Sequence, residues 1–154
     1  MKKILFVCTG NICRSPTAEA IARSKAELAK NDSLYFFDSA AIKGYHIGEY
    51  PDLRSVKTGN KRGISFDGMV SRKIIQNDFQ KFDLIFAMDR SNFLSLRSMC
   101  PQNYQHKIHL FLEFCEAKNS WDDEVKDPYY CDDQVFEEVF DVLNEAVDQM
   151  FKKL

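Results

Sequence analysis

No stretch of this 154-residue sequence approaches the roughly 20 consecutive apolar residues of a membrane-crossing helix. The start comes nearest to a targeting signal, with Lys2 and Lys3 ahead of the apolar run Ile4 to Cys8. That run is shorter than the roughly 7–15 apolar residues of an export signal, and charged residues soon follow. A cytoplasmic location is expected. An excess of charge of one sign is also missing. Twenty-one Lys and Arg face 23 Asp and Glu, for a net charge of −2. No bulk field favours nucleic acid or an anionic membrane, so any anion site must be local.

Metal and disulfide patterns are lacking too. There are five cysteines, Cys8, Cys13, Cys100, Cys115 and Cys131, with no C-x-x-C among them. An odd count in a chain of this size does not describe a secreted disulfide framework. His46, His106 and His109 are not spaced against cysteine as zinc ligands would be, so neither metal nor cofactor is expected. No internal repeat, low-complexity run or linker divides the chain, which predicts one domain over residues 1–154.

The elements alternate. Ile4 to Cys8 is a continuous apolar run, as in a buried parallel strand. Thr17 to Ala29 is rich in Ala, Glu, Lys and Leu, with Pro16 at a first helical position, and predicts a helix. Strands are predicted at Leu34–Ser39, Asp83–Met88 and Lys107–Leu112. Helices are predicted at Asp52–Arg62, Ser71–Phe79 and Ser91–Met99. A long last helix, capped by Asp132 or Asp133, carries Val135, Phe136, Val139, Phe140, Leu143, Val147 and Met150 at helical spacing. The order predicts an α/β fold, an open four-stranded parallel sheet with helices on both faces. Ligands of such sheets bind beyond the carboxyl ends of the strands, and the loop after strand 1 lies there.

That loop reads Cys8-Thr9-Gly10-Asn11-Ile12-Cys13-Arg14-Ser15-Pro16. Between a strand and a helix N-terminus, a segment of this length can curl its amides inward around a tetrahedral anion. Gly10 and Asn11 are types that tolerate the left-handed backbone such curling needs. Arg14 supplies a planar fork for two phosphate oxygens. Cys8 at the root would sit under phosphorus, in a positive field that favours the thiolate, and Ser15 can donate to it. A thiolate in a phosphate cradle implies in-line attack and a phosphocysteine intermediate. The leaving oxygen then needs an acid, and Asp127 of Asp127-Pro128-Tyr129-Tyr130 is available on a rigid, extended turn.

These two segments closely resemble the defining motifs of the low-molecular-weight protein tyrosine phosphatase family. Shorter matches at Asp38-Ser39-Ala40, Gly44-Tyr45 and Met88-Asp89-Arg90-Ser91-Asn92 extend the likeness along the chain. The resemblance implies Cys8 as nucleophile, Arg14 as phosphate clamp, and Asp127 as general acid and then base. It implies loop support from Asn11, Ser15 and Ser39, pocket walls from Ile12, Tyr45, Tyr129 and Tyr130, and a phosphotyrosine-containing protein as substrate. Cys13 matches the family's second loop cysteine, which can trap oxidised Cys8 as a reversible disulfide. Three positions depart from the pattern. Lys126 precedes the Asp-Pro pair, Met69 stands near where some members brace the loop with His, and His46 follows Tyr45 as a solvated rim residue. A monomer, or weak self-association through the tyrosine rim, is expected.

Two rivals share a cysteine in such a loop. A thioredoxin-coupled arsenate reductase would need relay cysteines after the third strand, where Ala87-Met88-Asp89 stands. A sugar-transport phosphocarrier forms phosphocysteine but needs neither Arg14 nor the Asp-Pro-Tyr-Tyr segment.

Overall fold

The computed structural model describes residues 1–117 and 119–154. Four strands form one parallel sheet: β1 Lys2–Cys8, β2 Tyr35–Ala41, β3 Leu84–Ala87 and β4 Ile108–Leu110, in the order β2-β1-β3-β4. Six α-helices accompany them: α1 Arg14–Leu28, α2 Leu53–Asn60, α3 Gln76–Lys81, α4 Arg90–Met99, α5 Phe111–Cys115 and α6 Asp133–Lys153. Among the described residues no helix is long and apolar enough to cross a membrane.

Side chains alternate across a strand, so the apolar run Ile4–Cys8 of β1 needs cover on both faces. Ile4, Phe6 and Cys8 face the larger core, with α1, α5 and the apolar stripe of α6 through Val139, Leu143, Val147 and Met150. Leu5 and Val7 face the other core, with Phe79 and Phe82 at α3 and Leu96 of α4. The order places β1 between β2 and β3, so chain direction across the sheet reverses beside β1. Loops leaving β1 and β3 there diverge to opposite faces and open a crevice at the carboxyl edge.

Two predicted elements differ. Residues 71–75 are not helical. Main-chain bonds join Ala41 to Arg72 and Ile74 to Ala41, in an isolated parallel bridge at the end of β2. The helix begins only at Gln76. The fourth strand stops at Leu110, where the chain turns directly into α5. In both places tertiary pairing overrides a local pattern that is ambiguous over a few residues.

Candidate active site

Cys8 ends β1 and is buried, with its sulfur 3.0 Å from Ser15 Oγ and 3.5 Å from Ser15 N. Asn11 takes the left-handed conformation, at φ 56°. Gly10 does not, contrary to the expectation for it. The space beside it is limited: a Cβ there would stand 3.0 Å from His46 Cδ2 and push that ring by a few tenths of an ångström.

Asn11 is the hub behind the loop. Its Nδ2 donates to Ser15 Oγ at 2.8 Å and to Ser39 Oγ at 2.9 Å, and its Oδ1 accepts from Arg72 N at 3.1 Å. Because Ser15 Oγ accepts from Asn11, its one hydrogen is left for the sulfur of Cys8. Ser39 Oγ passes its own hydrogen to Glu19 Oε1 at 2.6 Å. Met69 lies in an apolar cluster with Phe66 and Ala20 and, among the described residues, makes no polar contact with the loop. The Arg72 main chain and the Ser39–Glu19 pair brace it here. Burial drives the Glu19 carboxyl up to about 7, against the pull of the Ser39 hydrogen bond and of Arg23.

The loop's carbonyls are taken from outside. Those of Cys8, Thr9, Gly10 and Ile12 accept from Ile42 N, Lys43 N, Ser71 Oγ and Asp52 N, at 2.8–3.0 Å. A trans peptide carries its N–H opposite its C=O, so the intervening amides turn into the loop. With the first turn of α1 they form an anion cradle.

Arg14 is 1% exposed. Its Nη1 donates to Asp89 Oδ2 at 2.6 Å and to the Val125 carbonyl at 2.9 Å. Its Nη2 reaches Thr9 Oγ1 at 3.3 Å and lies 3.5 Å from Asp127 Oδ2. Burial works against the charge, but Cys8, Asp89 and Asp127 outweigh it and hold the guanidinium above its ordinary value. One nitrogen is thus anchored in protein, and the other faces the cleft. Burial, reinforced by Asp52 and Cys8, pushes the Cys13 thiol far up.

Cys8, Thr9, Gly10, Ile12, Cys13, Arg14, Tyr45, His46, Asp127, Tyr129 and Tyr130 together line one cleft with about 520 Å³ of empty space. Asn11, Ser15 and Ser39 stand behind it. Every residue predicted for the site is therefore in or directly behind this cleft. Tyr45 and Tyr130 are 72% and 93% exposed, so the rim is aromatic and open. His46 is not merely solvated. Its ring lies 5.6 Å from that of Tyr129 and covers Gly10, while Nδ1 sits 2.7 Å from Glu49 Oε2. Lys126 is exposed beside the acid.

Sequence reasoning missed Asp89, Asn92, Glu19 and Arg72. Asp89 and Asn92 had a usable signal, since they follow β3 at the same carboxyl edge as the loop. Asp89 also caps α4 by accepting from Asn92 N at 2.7 Å, and Asn92 Nδ2 reaches Thr9 Oγ1 at 3.1 Å. Arg72 acts through a main-chain N–H, which no residue type reveals.

The family model for low molecular weight phosphotyrosine protein phosphatase matches residues 3–154. The low molecular weight protein-tyrosine-phosphatase YfkJ of Bacillus subtilis is 40% identical, over 100% of this chain and 96% of the relative. The human low molecular weight phosphotyrosine protein phosphatase is 39% identical, over 90% of this chain and 87% of its own length. In structure, a protein tyrosine phosphatase of Entamoeba histolytica superposes with a TM-score of 0.93 at 40% identity, covering 99% of this chain and 96% of the other. The matched span, the shared fold and the sequence identity agree: this chain belongs to the low molecular weight phosphotyrosine protein phosphatase family.

Proposed function

We propose that this protein hydrolyses phosphotyrosine in proteins, and small aryl phosphates, through a phosphocysteine on Cys8. The observation that carries the reading is the meeting of Cys8, Arg14 and Asp127 in one cleft with an aromatic rim. The Cys8 thiolate attacks phosphorus as the bond to the phenolic oxygen breaks. Asp127 gives its proton to that oxygen, and a phenol leaves. The loop amides and the free edge of Arg14 hold the equatorial oxygens, where charge accumulates. Asp127, now a carboxylate, takes a proton from water. The oxygen attacks phosphorus, the P–S bond breaks, and thiolate and inorganic phosphate are regenerated. Only substrate and water are consumed.

The rim supports a tyrosine substrate. Tyr129 and Tyr130 stand edge to face at 4.9 Å between centroids, beside Tyr45 and His46, and such walls take up an aromatic ring. A reductase relay is disfavoured by the remaining cysteines. Cys100 lies in the core on one face of the sheet and Cys115 in the core on the other. Residues 1–154 act as one domain, and the five free thiols suit a reducing cytoplasm. Cys13, whose thiol is held protonated by burial and by Cys8, serves as a resolving thiol: once peroxide converts Cys8 to neutral sulfenic acid, Cys13 attacks that sulfur, its proton leaves with the hydroxyl as water, and a disulfide forms.

The test is hydrolysis of an aryl phosphate by wild type, Cys8→Ser, Arg14→Ala and Asp127→Ala. Wild type should turn over, Cys8→Ser should be inactive, and Arg14→Ala should lose about 100-fold or more in kcat/KM. An inactive wild type, or an active Cys8→Ser, overturns the reading.

A further inference from the structure

Segment 127–131 must hold Asp127 over the loop, yet it is a turn between α5 and α6 in which Asp127 and Tyr130 are exposed. Within the segment, Asp127 Oδ1 accepts from Tyr129 N at 3.1 Å, and Cys131 N donates to the Pro128 carbonyl at 2.9 Å. These bonds shape the turn but do not place it. Among the described residues, the main-chain hydrogen bonds from this segment to other elements run to one side chain. Arg54 of α2 donates from Nη2 to the Tyr129 carbonyl at 3.0 Å and from Nη1 to the Cys131 carbonyl at 3.3 Å.

Arg54 is itself fixed from two sides. Asp52 chelates it, with Oδ1 3.1 Å from Nε and Oδ2 2.9 Å from Nη2. Its guanidinium carbon lies 4.4 Å from the centroid of Phe136, a buried residue in the first turn of α6. Asp52 caps α2 through Oδ1, and its own N–H donates to the Ile12 carbonyl of the phosphate loop at 2.8 Å. An unbroken path therefore runs from the loop to the acid: Ile12 carbonyl, Asp52, Arg54, Tyr129 carbonyl, Tyr129 N–H, Asp127 carboxylate. Tyr129 is gripped by Arg54 at one end and grips Asp127 with the other.

We propose that Arg54, chelated by Asp52, is a positioning residue that sets the distance between the general acid Asp127 and the phosphate loop. The proposal rests on Asp127 acting as that acid. Arg54 touches no reacting atom, and its effect passes wholly through segment 127–131. A fork is needed, because two carbonyls and a carboxylate are served at once. A lysine offers no planar array of donors for them.

The test separates acid placement from general damage by leaving group. Phenyl phosphate depends on protonation of its leaving oxygen far more than 4-nitrophenyl phosphate does. The observable is kcat/KM for both substrates, with inhibition by inorganic phosphate as a probe of the loop. Variants are Arg54→Ala, Arg54→Lys, Asp127→Asn and Arg54→Ala/Asp127→Asn. Arg54→Ala should lose about 10- to 100-fold on phenyl phosphate, the scale of a misplaced catalytic group, and under about threefold on 4-nitrophenyl phosphate. Its phosphate inhibition constant should stay within about twofold. Arg54→Lys should restore less than half of the loss on a logarithmic scale. In the Asp127→Asn background, Arg54→Ala should add nothing, because the two act as a unit. Equal losses on both substrates, a weakened phosphate inhibition constant, or additivity with Asp127→Asn each overturn the proposal. If Asp127→Asn itself shows no leaving-group dependence, the acid assignment falls first and this inference with it.

Discussion

Glu19 offers a sharp test of how the loop is braced. Its carboxyl is 3% exposed, bonded to Ser39 Oγ, and paired with Arg23 Nη2 at 2.5 Å. Burial outweighs those partners and raises the group from its ordinary 4.5 to about 7. A carboxyl raised on folding binds its proton more tightly in the native than in the unfolded chain. Its contribution to stability is full below about pH 4.5 and is lost as pH rises through about 7. A rise of about 2.5 pH units, at about 1.4 kcal/mol each, makes that loss about 3 kcal/mol. In a domain of this size, about 3 kcal/mol lowers Tm by roughly 6–12 °C. Glu19→Gln keeps an acceptor for Ser39 and cannot titrate. Urea unfolding of both proteins between pH 5 and pH 8 isolates the effect in the wild-type-minus-variant difference, where other titrating groups cancel. That difference should fall by about 2.5 kcal/mol across the range, since part of the effect lies below pH 5. A flat difference would show that Glu19 ionises normally and that its burial is relieved by water. A difference that grows with pH would mean the Arg23 pair dominates.

Ser15→Ala removes the donor to the Cys8 sulfur and one acceptor of the Asn11 amide. A buried partner lost in this way costs about 1–3 kcal/mol. The expected fall in kcat/KM for an aryl phosphate is therefore roughly 5- to 100-fold, and an unchanged rate would remove Ser15 from the site. Leu143 is fully buried on α6 against the sheet. Leu143→Ala should lose about 2–5 kcal/mol in urea unfolding, with kcat per folded molecule retained. After brief peroxide treatment and then dithiothreitol, wild type should recover most of its activity and Cys13→Ser markedly less. Equal recovery would discard the resolving role.

The lessons of sequence against structure differ by element. β1 was legible because a short, wholly apolar run ended by Gly-Asn has few other uses, and α6 because 21 residues repeat one helical stripe. Residues 71–75 were not legible. Their local pattern admits a helix turn, and the Ala41 main chain decides otherwise. A lone histidine on a loop is usually solvated; the place of His46 over Gly10 depends on how residues 44–46 fold back across the loop.

By itself the sequence determined the chemistry within one segment: a thiol at a strand end, a loop able to curl, an arginine six positions on, and a late Asp-Pro-Tyr-Tyr. Those groups are close along the chain or uncommon in combination, so residue type and spacing carry the information. Only the tertiary structure decided how they are held. Asp89 anchors Arg14 from 75 residues away, Arg72 braces Asn11 through its backbone from 61, and Arg54 ties Tyr129 from 75. Such partners are ordinary charged residues in the sequence. They become specific only when sheet order and crossovers bring distant segments to one edge, where burial makes each hydrogen bond count.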